Sequence, residues 1–281
     1  MADHTRDVPK EVTSHLKALK AAAKDLDDLL KTLKKAEDAP LLEDTALRAF
    51  RARWEATELD QGRGAVSSWI GDLAQRLRTP VADAQATFGA ALEDRLKEAG
   101  LPLRGRWPEW MSGPFRVQAR PTHGDAALAW GPGVEPLDPV PLDATAVAER
   151  IPAVAAELKA RCEPEAFPKR LLSAWRMALA AEGRADGDVP LGDLVSLVAF
   201  QAQGPRFHER PSRGAWSVPY DRVQLSYDLA RLRLVECDGM LLRLRVATRD
   251  QTRHKGPLWL PDDAAGNGTF FAAARFERRP R

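Results

Sequence analysis

Apolar residues recur at every third or fourth position near the start of the chain. Val12, Leu16, Leu19, Ala23, Leu26, Leu30 and Leu33 are spaced 4, 3, 4, 3, 4, 3, a strict a/d seam that predicts one helix over residues 11–36. Lys17, Lys20, Lys24, Asp27, Asp28, Lys31 and Lys34 fill its other faces. So narrow a stripe points to a helical partner, either another coiled-coil protein or a second copy of the chain. The alternative is that the helix folds back on the next one, which the short Ala39-Pro40 break permits. The partner-binding candidates are Val12, Leu16, Leu19, Leu26, Leu30 and Leu33.

Helical periodicity continues over about 42–60, 64–78 and 80–99, with Thr79-Pro80 reading as the cap and first residue of the last of these and Gly100 as its stop. From 101 to 141 the pattern turns to Pro, Gly and aromatics. Two short alternating runs, 115–119 and 126–130, flank Pro121-Thr-His-Gly124 and predict a β-hairpin. Trp107, Trp110 and Trp130 either cover that small sheet or form an aromatic surface for a ligand or single-stranded bases. Helices follow at 144–161 (capped by Asp143, with Pro152 predicting a kink), 169–182 and 191–203, then a loop at 204–218 rich in Pro, Gly and Arg. A helix from Tyr220 runs into two alternating strands that turn at Asp238-Gly239, and 269–276 reads as a third strand.

The predicted fold class is mainly α with small antiparallel β elements, an α+β chain in four parts. These are a heptad helix at 1–38, a helical domain at 39–100, a Pro/Gly/Trp-rich segment with a hairpin at 101–141, and a last domain at 142–281.

In that last part the order helix, helix, helix, strand, strand, with YDLARLRLVE passing from the third helix into the ribbon, resembles the winged helix-turn-helix superfamily over about residues 165–248. The long 204–218 loop departs from the pattern. The resemblance implies a third helix presented to the DNA major groove and a wing on the backbone or minor groove. It makes Arg222, Gln224, Ser226 and Arg231 candidates on the helix, and Arg231, Arg233, Arg243, Arg245 and Arg249 candidates on and after the strands. Gln suits adenine edges and Arg suits guanine or phosphate. Alternation of Arg243 and Arg245 with Leu242 and Leu244 puts the guanidiniums on one face, which either meets DNA or is the ordinary polar face of a sheet packed on helices.

Charge sharpens this picture. The net charge is +2, yet residues 201–281 hold 15 Lys+Arg against 9 Asp+Glu, so the basic excess lies with the expected wing. No apolar run reaches the ~18 residues that a membrane span needs, and the N-terminus lacks the apolar core of a secretory signal. Two distant cysteines suit a reducing cytoplasm. No phosphate-binding loop, dinucleotide fingerprint, zinc-protease or serine-hydrolase motif occurs, and the five histidines lack ligand spacing, so no cofactor or metal is expected. Asp143, Glu157 and Lys159 follow a nuclease-like order, but Glu157 and Lys159 fall on a helix where they diverge; Asp262-Asp263 reads as a turn, and His208-Glu209-Arg210 lacks a visible catalytic partner. The sequence therefore predicts a non-enzymatic, cytoplasmic DNA-binding accessory or architectural subunit, possible partners being duplex DNA and a coiled-coil protein or itself. The alternatives are an interaction scaffold that does not touch nucleic acid and an enzyme with a dispersed site.

Overall fold

Among the described residues three apolar clusters divide the interior, and helical or alternating spacing decides which element feeds which cluster. The structure, a computed structural model, describes residues 10–35, 40–55, 63–133, 135–210, 218–232, 235–253 and 256–278.

The first cluster is helical. Helices α1 (Lys10–Lys35), α2 (Pro40–Glu55) and α3 (Arg63–Glu98) meet around Leu29, Leu47, Phe50, Ile70, Leu77 and Val81. The two helices expected over 64–78 and 80–99 are one. Pro80 lies inside α3, where a missing N–H is tolerated because Leu77 and Val81 on either side of it are buried. At 36 residues, α3 runs about 54 Å. Its second half belongs to a different core, through Phe88, Leu92 and Leu96.

That second core lies under a six-stranded antiparallel sheet, which corrects the predicted central hairpin. The expected hairpin exists as β3 (Phe115–Arg120) and β4 (Asp125–Trp130), in register from Phe115↔Trp130 to Arg120↔Asp125. Strands β1 (Leu103–Arg106) and β2 (Glu109–Ser112) extend it on one side; β5 (Glu135–Pro136) and β6 (Val140–Pro141) pair with β4 on the other. Four-residue strands carrying Gly105, and two-residue strands ending in Pro136 and Pro141, are too short for alternation to register, and Pro is accommodated at such edges. Helix α4 (Ala144–Arg161) covers the sheet beside α3 with Val147, Ile151, Val154 and Leu158; it starts at Asp143, whose carboxylate accepts from Ala146 N at 2.9 Å, and runs through Pro152 without a break.

The third core packs α5 (Phe167–Ala181), α6 (Leu191–Gln201) and α8 (Arg222–Arg231) on a five-stranded sheet whose strands run in the order β10 (Leu258–Pro261), β11 (Gly268–Arg278), β9 (Met240–Val246) and β8 (Glu236–Cys237), with β7 (Val189–Pro190) joined to β11. A short helix α7 (Pro205–Glu209) occupies part of the expected 204–218 loop. The ribbon β8 (Glu236–Cys237) and β9 (Met240–Val246) turns at Asp238-Gly239, both at positive φ (53° and 69°) as that dipeptide favours. It does not stand free as a wing. Strand β9 pairs on its other side with β11 (Gly268–Arg278), which the sequence shows only as a terminal strand, and β11 pairs in turn with β10 (Leu258–Pro261). The expected winged-helix-like C-terminal domain is thus corrected to helices on a five-stranded sheet. The chain is α+β with two substantial antiparallel sheets. Among the described residues no helix is long and apolar enough to cross a membrane.

Candidate functional site

The expected recognition helix, α8, is the seam between the two sheet-bearing cores. Its Val223 and Tyr227 join the core under the six-stranded sheet, and Leu225 and Leu229 join the other. Asp221 caps it, accepting from Gln224 N at 2.9 Å. With apolar residues on two faces, its polar side chains are carried inward: Gln224 and Ser226, expected to face solvent and read base edges, are both 0% exposed.

Both have partners in the interior, although Gln224 Oε1 is buried with none among the described residues. Ser226 Oγ accepts from Trp130 Nε1 at 2.7 Å and donates to the Trp259 carbonyl at 2.5 Å, tying both sheets to α8. Gln224 Nε2 donates to the Leu158 carbonyl of α4 and to Asp228 Oδ1, at 3.1 and 3.0 Å. Asp228 Oδ2 accepts from Tyr220 Oη at 2.8 Å. Burial raises the Asp228 carboxyl above the ordinary carboxylate range despite the opposing bonds from Tyr220, Cys162 and Gln224. Burial and the neighbouring Asp228 push the Cys162 thiol up to about 11 and raise the Tyr220 phenol. A carboxylate held this way is a structural acceptor; neither the thiol nor the phenol beside it is poised to ionise near neutral pH.

Arg222 is also engaged. Its Nε donates to Glu135 Oε1 and its Nη2 to the Pro257 carbonyl, both at 2.6 Å, with Glu135 buried. The pair bridges β5 to the loop before β10, so Arg222 belongs to the fold's joint and not to a free cationic surface.

The sheet face carries the cations that alternation predicts, together with their counter-ions. Arg243 lies opposite Arg275 in the β9–β11 register, and Arg245 opposite Ala273. Arg243 meets Glu277 at 3.6 Å, Arg245 meets Asp188 at 2.9 Å and Arg275 meets Asp186 at 2.5 Å. The Arg275 hydrogen bond holds Asp186 below the ordinary carboxylate range. Three guanidiniums therefore face three carboxylates, two of them from the turn before β7, and the expected basic stripe is locally compensated. Arg231 donates to Tyr227 Oη at 3.4 Å, and Arg249 is exposed on the turn after β9. Arg233 lies outside the described residues.

The tryptophans cover the sheet: Trp110 and Trp130 are buried, and Phe88 of α3 stands 5.4 Å from the Trp110 ring and 6.1 Å from the Trp107 ring. Glu157 and Lys159 lie on α4, where Glu157 accepts from Arg150 at 2.6 Å. Asp263 closes a turn by accepting from the Ala265 and Asn267 amides. His208 packs against Phe200, ring centroids 4.8 Å apart. Among the described residues no group of three or more His, Cys, Asp and Glu side chains is placed to hold a metal ion.

The heptad helix presents the other surface. Leu29, outside the a/d set, is 3% exposed against α2 and α3, while seam residues Leu19 and Leu30 are 48% and 43% exposed and Leu26 is half-buried. Asp25 meets Arg53 of α2 at 3.4 Å. The side chains of Val12, Leu16 and Leu33 lie outside the description. Leu29 carries a usable signal in sequence, since it is the one leucine of this helix that lies off the seam. Family models, curated proteins and solved structures give no match to this chain.

Proposed function

We propose that this chain is an interaction scaffold that assembles through α1, with the two sheet-bearing cores forming its folded body. One observation carries the reading: α1 is anchored by Leu29 on one side and leaves Leu19 and Leu30 of its heptad seam open on another. Scattered exposed leucines are ordinary, but two on heptad spacing along an already anchored helix form an association stripe. Duplex contact has less to support it. Two of its base-reading candidates, Gln224 and Ser226, are interior groups, and a phosphate backbone would compete with Asp186, Asp188 and Glu277 for the sheet arginines. Two free thiols, Cys162 and Cys237, favour a reducing, cytoplasmic setting.

The test is the size of complexes isolated mildly from the native host through a tag on the full chain, compared with Leu19→Glu/Leu30→Glu. Both leucines are exposed, so the variant keeps its fold; its complexes are expected to collapse to the 31.0 kDa of one chain. Identical complexes from both proteins would overturn the reading.

A further inference from the structure

The two flanks of the α1 seam differ, and they complement each other in one orientation only. With Leu19 and Leu26 at d and Ala23 and Leu30 at a, Lys20 and Asp27 fall at e, and Ala22 and Leu29 fall at g. At about 100° per residue, Leu29 lies roughly 80° around the helix from Leu19, and Lys20 about 100° to the other side. The g flank is thus the apolar one and is turned toward α2: Leu29 is buried and Ala22 half-buried. The e flank is charged and open, with Lys20 exposed and the Asp27 side chain 61% exposed.

We propose that the partner of α1 is the α1 of a second copy of this chain, docked antiparallel. The proposal rests on assembly through α1 and names what it assembles with. Two parallel helices set each e flank against the other's g flank, which would put Lys20 and Asp27 against Ala22 and Leu29 and against the α2 packed there. Two antiparallel helices set e against e and g against g. Aligning Leu19 with Leu30 of the second copy then brings Ala23 beside Leu26 and Lys20 beside Asp27 of the second copy, while the two g flanks, each already covered by its own α2, fall on the same side. Symmetry repeats each of these pairings. The g flanks stay covered by α2, and opposite charges meet on the e side. Asp27 is held within its own helix by Lys31 at 2.5 Å, an exposed pair that a second lysine can join.

The experiment mixes two single variants of the full chain, Lys20→Glu and Asp27→Lys, and follows mass by sedimentation equilibrium, with helix content checked by circular dichroism. Each variant alone sets like charges across the seam twice, and its dimer dissociation constant is expected to weaken about tenfold. An equimolar mixture restores both opposite-charge pairs in the heterodimer, so the wild-type constant returns. A mixture no tighter than either variant overturns the antiparallel register, even where Leu19→Glu/Leu30→Glu abolishes assembly. A purified wild-type chain that stays at 31.0 kDa at every concentration overturns the second copy as partner while leaving assembly with another protein through α1 intact.

Discussion

At Asp228 the side chain is 1% exposed and accepts from Tyr220 and Gln224, yet its carboxyl titrates above the ordinary range because burial outweighs those bonds. Between the ordinary and the raised value the folded chain binds more protons than the unfolded one. This group's contribution to stability therefore falls as pH rises through that window. Asp228→Asn keeps an acceptor for Gln224 and a donor for the Tyr220 oxygen. Its melting temperature at neutral pH is expected to equal or exceed the wild type's, with a flatter pH profile; a large loss would contradict this. Ser226→Ala strands the Trp130 N–H and the Trp259 carbonyl, and chemical denaturation should show a loss of about 2 kcal/mol or more. Arg222→Ala leaves buried Glu135 without its guanidinium and should cost about 2–4 kcal/mol, whereas Arg243→Ala/Arg245→Ala on the compensated face should cost under about 1 kcal/mol. Equal losses from the two substitutions would mean that Arg222 is not part of the joint.

Among the elements, α3 offers a direct test of how tertiary packing overrides local rules. Pro80 is exposed and sits between buried Leu77 and Val81, so Pro80→Ala restores a backbone donor without touching the core. The full helix-interior penalty is about 3 kcal/mol, so a gain of roughly 1–3 kcal/mol in thermal or denaturant unfolding is expected. No gain would mean that the helix is already relaxed around the proline. The same region shows what was legible in sequence. Long periodic runs gave α1, α4, α5 and α6 nearly to the residue, because 3.6-residue periodicity survives over three or more turns. Thr79-Pro80 looked like a boundary because burial on both sides of it is invisible locally. Strands β1, β5 and β6 were hidden for the opposite reason, their four or two residues being too few to display alternation. The sequence places helix α8 but not its orientation, since Gln224 and Ser226 look like a solvent face until Trp130, Trp259 and Leu158 arrive from 33 to 96 residues away. The arginine alternation on β9 was real, but its carboxylate partners on β11 and in the turn before β7 could not be paired with it without the sheet register.

For the molecule as a whole, the basic excess at residues 201–281 is less available than its count suggests. Arg222, Arg243, Arg245 and Arg275 each have a carboxylate partner, so any duplex affinity should be weak and should fall steeply with salt. Titration of a fluorescent duplex at two salt concentrations checks this, and tight, salt-resistant binding would contradict it. Helix α1 is the opposite case, anchored on one flank and open on the next. Hydrogen exchange of the full chain, measured over a range of protein concentrations, reads that helix directly. Protection of residues 17–32 is expected to rise with concentration as the Leu19–Leu30 stripe is covered, while α4, inside the body, stays unchanged. Exchange in α1 that is independent of concentration would contradict assembly with a second copy through this seam.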